Sequence, residues 1–398
     1  MSLDPNRPHD YPRRALVCMV GLSPAVVTET LYALVKQQEP AFVPTELHVI
    51  TTTRGAEGVH RQLLAGGEGH FHQLLAEHLP GHAVSFDPHR NVHLVCDGDI
   101  PLPDIVEPAH QCLMADTILR VLRELAADPQ CAIHASIAGG RKSMSFYMGY
   151  AMSLLARAQD RMSHVLVMPE DFEHPEFFYP PRVPRELCTR DNRTVNTRDA
   201  RLALAPVSFV RLADGGADWL RQTRSSFDEA VAFAQLALTP QPVTLHLQSG
   251  TVESGGCSAR LEPVEMAWYS YLARRRQAGL QEDGLPFEGA VKLRRAFEDC
   301  AGLELAAVCK AFADCGCRGV PRYDETHSRR SDLDLASEVR EVVSHINRKL
   351  AAAFGPQAAQ RLMVAGPGER KKRDGVYGLM NLAPELLTIN ARIAADAR

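Results

Sequence analysis

The chain has 398 residues, a formal net charge of −4 and a hydrophobic fraction of 45%. This length allows two domains with cores of their own, and the composition is that of an ordinary globular protein. No stretch approaches the roughly 18 apolar residues of a membrane span, and the polar residues 1–14 lack the apolar region of a signal peptide. We therefore expect a cytoplasmic protein without membrane contact.

Short apolar runs alternate with longer amphipathic segments through the first 170 residues. The runs predict strands at 15–20, 47–52, 91–95, 131–137 and 163–168. The amphipathic segments predict helices at 24–38, 57–79, 106–127 and 143–158. This alternation is typical of the α/β class: a Rossmann-like, mostly parallel sheet with helices on both faces.

The pattern breaks in residues 169–206, which are rich in proline and aromatic side chains. The segment is too long for an ordinary connection. It has two interpretations, an interdomain linker or a lid over the first domain. We therefore divide the chain into a first domain at 1–168, a lid or linker segment with a connecting helix at 169–240, and a second domain at 241–398.

The second domain is predicted to be a smaller α+β unit. After a helix at 225–238, the predicted elements are a ribbon of 243–249 with 257–261, helices at 263–276, within 290–313 and at 332–354, and a hairpin of 361–366 with 375–380. Its cysteines cluster at Cys300, Cys309, Cys315 and Cys317. Their spacing favours reduced thiols over a zinc site, so we predict no metal and no cofactor.

Two loops carry the residues best suited to chemistry. The first follows the first predicted strand: Gly21 permits a close backbone approach, and Ser23 stands at the expected N-cap before Pro24. The second follows the fourth strand, where Gly139 and Gly140 precede two cations at the next helix start. Glycines, cations and free N–H groups together favour an anion site. The alternative is a plain turn with solvated basic side chains.

Residues 21–30, GLSPAVVTET, and residues 136–144, SIAGGRKSM, resemble the CRISPR-associated Rossmann-fold (CARF) proteins, in particular their ring-nuclease branch. Residues 97–105 and the aromatic segment 172–181 are similar to that family as well. The resemblance covers about residues 13–200. One position departs from the family pattern, because Leu22 stands where many members have threonine.

The resemblance implies a homodimer whose cleft binds a cyclic oligoadenylate, with the tetra-adenylate favoured. It implies that Ser23 and Lys142 are catalytic and that Arg141 holds a phosphate, in a cleavage that needs no metal. A ribose 2′-OH then attacks the neighbouring phosphate, and the linear product ends in a 2′,3′-cyclic phosphate. This cleavage of the messenger switches off type III CRISPR signalling. The remaining expected ligand contacts are Gly21, Leu22, Pro24, Thr51, Thr52, Thr53, Arg54, Ala138, Gly139, Gly140 and Ser143. Thr51 to Arg54 have a second interpretation, as a capped helix start.

The second domain resembles a winged helix of the response-regulator type. Residues 259–273 are similar to its first strand-to-helix step, 343–350 to its recognition helix and Arg370 to Arg373 to its wing. This resemblance implies duplex-DNA binding and a messenger-sensing transcription regulator. The acidic residues Asp334, Glu338 and Glu341 favour dimerisation or shaping of the cleft instead, because they would repel phosphates.

A third candidate function comes from residues 322–327. Arg322 and His327 have the R-x4-H spacing of HEPN ribonucleases, which CARF proteins often carry. This motif is short and occurs often by chance. It also follows Gly319 and Pro321 in a predicted loop, whereas HEPN motifs lie on helices. A messenger-activated ribonuclease therefore ranks below the ring nuclease and the regulator.

Overall fold

The computed structural model forms two compact units, residues 1–230 and 231–398. The residues that it describes are 3–189, 191–212, 221, 225–280, 288, 291–292, 303–317, 332–364 and 376–390. The division lies within the segment that we assigned to a lid or linker at 169–240. No helix in these described ranges is long and apolar enough to cross a membrane.

The N-terminal unit is built on a six-stranded sheet of order β10-β7-β6-β1-β2-β3, parallel except for β10. Its strands are β1 Arg13–Met19, β2 Glu46–Thr51, β3 Val92–Leu94, β6 Cys131–Ser136, β7 Arg161–Met168 and β10 Arg201–Pro206. Two small hairpins pair β4 Cys96–Asp97 with β5 Ile100–Pro101 and β8 Glu186–Cys188 with β9 Thr194–Asn196. The predicted α/β class is therefore confirmed.

Helices flank this sheet. They are α1 Ala25–Lys36, α2 Thr53–Gly58, α3 His70–His78, α4 Pro108–Ala126 and α5 Lys142–Leu155. The crossovers through α1 and α3 run from β1 towards β3, whereas those through α4 and α5 run from β3 towards β7. Since such crossovers are right-handed, the two pairs of helices cover opposite faces. The order reverses between β1 and β6, and ligands bind outside the carboxyl ends of the strands at such a switch point.

The predicted helix at 57–79 is broken into pieces. A π-helix at Val59–Leu64 and a 3-10 turn at Ala65–Gly67 separate α2 from α3. Gly66 has a φ of +58° and Gly67 a φ of +81°, which interrupts helical backbone. The apolar pattern indicated helix correctly, but the prediction of one continuous helix was wrong.

Residues 169–206 contribute to the core and to the sheet of the N-terminal unit. Phe172, Phe177, Phe178 and Tyr179 are buried in it, and the ring of Phe178 stacks on His70 with 3.7 Å between centroids. The chain then returns as β10, antiparallel to β7. The segment therefore lies within the N-terminal unit, and a lid function stays a prediction.

The C-terminal unit is a smaller α+β region. Its strands are β11 Val243–His246, β12 Thr251–Ser254, β13 Cys257–Arg260, β14 Val291–Lys292, β15 Val376–Tyr377 and β16 Leu387–Asn390. Its helices are α7 Pro263–Gln277, α8 Leu303–Asp314, α9 Asp332–Phe354 and α10 Pro356–Leu362, preceded by α6 Phe227–Leu238, which spans the division. The apolar positions of α9 from Val339 to Phe354 pack into its core, together with the thiol of Cys315.

Two predictions in this unit were wrong. The ribbon of 243–249 with 257–261 contains a middle strand, β12, in which Val252 is buried while Glu253 is exposed. The described part of the predicted hairpin of 361–366 with 375–380 differs from the prediction, because residues 361 and 362 end helix α10 and β15 pairs with β14. Gly355 and Pro356 start that helix, and Ala358, Ala359 and Leu362 bury its apolar side.

A buried ion pair holds the turn between α5 and β7. Asp160 is fully buried and accepts hydrogen bonds from the Arg157 guanidinium at 3.0 Å and from the N–H of Ile133 at 2.9 Å. Arg157 also donates to the carbonyls of Ala126, Asp128 and Cys131. The pair thereby joins three consecutive parts of the chain at the amino ends of β6 and β7.

We expect Asp160→Asn to lower the free energy of unfolding by about 3 kcal/mol, because it leaves the Arg157 charge buried without its partner. Urea denaturation measures the change. Asp10→Asn is the matched control, since Arg7 and Asp10 form an exposed pair of the same i,i+3 spacing. Its removal should change stability little. Equal losses in the two variants would show that burial does not strengthen the pair.

Candidate functional site

The two loops predicted to carry the chemistry meet at the switch point of the sheet. They follow β1 and β6, which are neighbouring parallel strands. A Cβ placed on Gly21 would lie only 3.1 Å from the Cα of Gly140. Gly139 has a φ of +91°, and a Cβ there would lie 2.6 Å from the carbonyl oxygen of Met19. Glycine at these positions therefore lets the two backbones come into contact.

A third loop, after β2, packs against the first. A Cβ on Gly55 would lie 1.9 Å from Thr51 Oγ1 and 2.7 Å from the carbonyl oxygen of Gly21. The Thr51 hydroxyl donates to the carbonyl of Val20 at 2.7 Å, and the Thr53 hydroxyl donates to Leu102 at 3.1 Å. These hydroxyls fasten the loops together, so the hydroxyls of Thr51 and Thr53 are occupied within the protein.

Helices α1, α2 and α5 begin directly after these three loops. Their N-cap residues are Pro24 for α1, Thr52 for α2 and Arg141 for α5. Proline and arginine side chains have no acceptor atom, and the Thr52 side chain makes no cap hydrogen bond. The expected N-cap at Ser23 was therefore wrong by one residue, while the helix start predicted at Thr51 to Arg54 is present. The N–H groups of Thr53, Val27 and Met144 donate to backbone carbonyls, so an anion would meet the other first-turn N–H groups.

The predicted site residues differ in accessibility. Exposed at the edge are Leu22, Ser23, Arg54, Gly139, Gly140, Arg141 and Lys142; Gly21, Thr53 and Ser143 are half-buried; Pro24, Thr51, Thr52 and Ala138 are buried. The structure thus brings the loops of Ser23 and Lys142 together and leaves both side chains accessible. Pro24, Thr51, Thr52 and Ala138 support the loops from below.

Asp104 is a member of this group that the loop motifs did not identify. Its carboxylate accepts from the Arg141 guanidinium at 2.8 and 3.3 Å, and Arg54 lies 3.9 Å away. The hydrogen bond from Arg141 lowers the pKa of Asp104 below its ordinary value. Within the sequence, only the resemblance over residues 97–105 pointed to it. Arg141 is therefore oriented by a carboxylate 37 positions away.

Glu29 lies in the second turn of α1, behind the first loop. Burial, and then the negative charge of Glu173, raise its pKa to about 8. At neutral pH most of the Glu29 carboxyl is consequently protonated and carries no charge. A neutral Glu29 does not oppose an anion near the start of α1.

Four large apolar side chains are exposed at the same edge. They are Leu22 at 81%, Ile100 at 72%, Val106 at 68% and Phe146 at 64% exposure. Leu22 precedes α1, Val106 precedes α4, and Phe146 lies in the second turn of α5. Exposed apolar groups of this size, gathered at one end of a unit, are typical of interaction surfaces.

Most side chains of the expected recognition helix at 343–350 are buried or form contacts within the C-terminal unit. Val343, Ile346 and Leu350 are buried. Lys349 Nζ lies 2.7 Å from the buried carboxylate of Glu265. The amide of Asn347 exchanges hydrogen bonds with the backbone of Val364, and the described exposed residues include Glu341, Ser344 and Arg348.

Two sequence predictions lie outside the described residues. These are the R-x4-H pair Arg322 and His327, and the expected wing at Arg370 to Arg373. Cys300 and the side chains of Asp334 and Glu338 lie outside them too. The ribonuclease and the winged helix therefore stay predictions. Among the described cysteines, Cys309 is exposed and Cys317 is half-buried.

A comparison with protein families finds one that matches over the N-terminal unit. The family is described as CRISPR-associated protein NE0113, and its model matches residues 23–240, more than half of the 398 residues. The matched range contains Ser23 and Pro24 of the first loop, the whole second loop, the segment 169–206 and helix α6. No protein of curated function matches the chain.

The contact between the loops predicts the effect of adding one methyl group. Gly139→Ala should lower the free energy of unfolding by about 2 kcal/mol more than Gly67→Ala, because overpacking adds to the strain of positive φ. Gly67 is the matched control: its φ is +81°, and nothing lies within 4 Å of its Cβ position. Equal losses in chemical denaturation would contradict the tight contact of Gly139 with Met19.

The raised pKa of Glu29 predicts a pH-dependent stability. An acid whose pKa is higher in the folded state contributes full stability below its ordinary pKa of 4.5, and this contribution is lost as the pH rises towards 8. Glu29→Gln should therefore leave stability nearly unchanged at pH 4.5 and raise it at pH 9, by about 2 kcal/mol or more. Thermal unfolding across this range measures it, and a constant difference would refute the shift.

Proposed function

The chain belongs to the family of CRISPR-associated protein NE0113, and we propose that it binds a cyclic oligoadenylate, with the tetra-adenylate favoured, and cleaves it as a ring nuclease. The observation that carries this proposal is the contact of the loops after β1 and β6 at the switch point. Ser23 and Lys142 are exposed on these two loops. The loops resemble the catalytic loops of CARF ring nucleases, which motivates the choice of ligand.

Binding of the ring depends on groups that recognise phosphate. Two helix starts without side-chain caps supply N–H donors, and Arg141 and Lys142 supply positive charge at the start of α5. Gly139 and Gly140 are exposed and carry no side chain, which leaves their backbone open to a phosphate. The neutral state of Glu29 near pH 7 leaves this positive potential unopposed from α1.

Cleavage uses a nucleophile that belongs to the substrate. The ribose 2′-oxygen forms a bond to the adjacent phosphorus, and the bond from that phosphorus to the 5′-oxygen breaks. The 2′-hydroxyl proton is lost and the leaving 5′-oxygen gains one, giving a 2′,3′-cyclic phosphate and a 5′-hydroxyl. Lys142 stabilises the charge that develops on phosphorus-bound oxygens, and Ser23 holds the ribose hydroxyl in line. Such positioning needs no resident cofactor.

In this site Arg141 would present a guanidinium group whose orientation is fixed by the protein. Its ion pair with Asp104 orients it, and the exposed remainder of the guanidinium is available to a phosphate. Asp104 also reduces the net charge at the loop, which favours release of products. This arrangement supports a phosphate-positioning role for Arg141 and a chemical role for Lys142.

A homodimer would complete the site. A ring of four identical nucleotides contains a twofold axis, which matches two copies of one loop pair facing each other. The exposed Leu22, Ile100, Val106 and Phe146 at the loop edge support such a surface, since a second copy would cover them. Each protomer would then contribute one Ser23 and one Lys142 to opposite sides of the ring.

The test is incubation of the purified protein with cyclic tetra-adenylate in EDTA, followed by chromatography. We expect linear products that end in a cyclic phosphate. Lys142→Ala should reduce the rate at least about 100-fold, as expected for loss of a group that stabilises developing charge. Ser23→Ala should reduce it too, through loss of alignment.

Lys36→Ala is the matched control, because Lys36 and Lys142 are the two lysines of residues 1–230. Lys36 ends α1 and is exposed at the other edge of the sheet, so its loss should leave the rate unchanged. If the ring stays intact and co-elutes with the protein, the protein is a sensor of the ring and the proposed nuclease activity is refuted. A ring that neither binds nor breaks would refute the proposal.

A further inference from the structure

A second pocket lies at the opposite edge of the same sheet. It has a volume of about 580 Å³, within the range of small-molecule sites. The pocket opens where β6 and β7 begin and β10 ends, beside the carboxyl end of α1. All of its described lining residues belong to the N-terminal unit, and none of them is a candidate contact of the cyclic ligand.

Two arginines line this pocket without a carboxylate partner. Arg161 and Arg211 form no ion pair with any described residue, and no described lining residue is Asp or Glu. Both donate to backbone carbonyls, including that of Asp160, which fixes the positions of their guanidinium groups. Burial, and then the charge of Arg211, lower the pKa of Arg161. Two like charges held this close favour an anion between them.

His134 adds a nearly buried ring to the lining. Its side chain is 3% exposed, and Nε2 lies 2.7 Å from the hydroxyl of Ser163. Its Nδ1 is buried and has no hydrogen-bond partner among the described residues. Burial, and then the charge of Arg161, lower the pKa of His134 to about 3, so the ring is neutral at pH 7. This nitrogen is enclosed by protein atoms, so His134 contributes to the pocket lining an uncharged ring that is held by Ser163.

The remaining lining suits an organic part of the ligand. Leu204, Pro206, Val207 and Phe209 give it an apolar side, and the Arg211 guanidinium lies 4.9 Å from the centre of the Phe209 ring. The carboxyl end of α1 would oppose an anion through its carbonyls. However, the carbonyls of Ala33 and Leu34 already accept from the N–H groups of Gln37, Gln38 and Phe42.

We propose that this pocket binds a small organic phosphate about the size of a mononucleotide, with the phosphate between Arg161 and Arg211 and the organic part against Pro206 to Phe209. Phosphate is favoured over a carboxylate because two guanidinium groups match its two charges and its several acceptor oxygens. This inference does not depend on the proposed ring nuclease.

Isothermal titration with AMP, adenosine and inorganic phosphate tests the proposal on the full chain. We expect AMP to bind more tightly than either fragment, since each fragment makes only part of the contacts. Arg211→Gln and Arg161→Gln should each weaken AMP binding about tenfold or more, because each removes charge-assisted hydrogen bonds. Arg198→Gln, at an exposed arginine outside the pocket, should leave it unchanged.

The experiment also separates the two edges of the sheet. Lys142→Ala should leave AMP binding intact, so loss in this variant would assign the binding to the loop edge and overturn the proposal. Absence of binding by AMP and phosphate would overturn it as well. A second measurement uses protein without substitutions: the NMR resonances of the His134 ring should shift on addition of AMP because the ring lines the pocket, and unchanged resonances at saturation would exclude binding there.

Discussion

The contact between Gly21 and Gly140 is the constraint on which the loop edge depends. The two strands before these residues are neighbours in the sheet, so their following loops must cross the same small space. Any side chain at Gly21 would push against backbone rather than against a movable group. Gly55 repeats the constraint from the third loop. The starts of α1, α2 and α5 therefore converge because glycine allows it, and this convergence concentrates their N–H groups.

The charges of this edge are arranged around one carboxylate. Asp104 holds Arg141 and lies near Arg54, but Lys142 has no such partner among the described residues. An anion that reaches the loops would meet one restrained cation and one unrestrained cation. The restrained Arg141 would fix the position of the anion, and the unrestrained Lys142 would move towards negative charge as that charge develops. Burial raises the pKa of Glu29 on α1 to about 8, so this side chain adds little negative charge to α1 at neutral pH.

Patterns within a short stretch predicted the fold well, and contacts between distant stretches explain what they missed. Apolar periodicity identified the five parallel strands, and glycines beside cations identified the loops. The loop motifs did not identify Asp104, because its partner Arg141 lies 37 positions away in the sequence. Residues 361–366 looked like a strand, but the capping by Gly355 and Pro356 makes residues 361 and 362 helical. Strand β12 was not predicted, because Glu253 and Ser254 weaken the apolar alternation of its sequence.

Strand β6 links the two edges of the sheet. Its carboxyl end leads into Gly139 and Gly140, while His134 lies within it beside the second pocket. The buried pair of Arg157 and Asp160 fastens its amino end through Ile133, and the hydroxyls of Ser136 and Thr30 meet at 3.1 Å near its carboxyl end. A strand anchored at both ends moves as one body with its neighbours. The sheet therefore separates the loop edge from the pocket, the two regions at which we propose that anions bind.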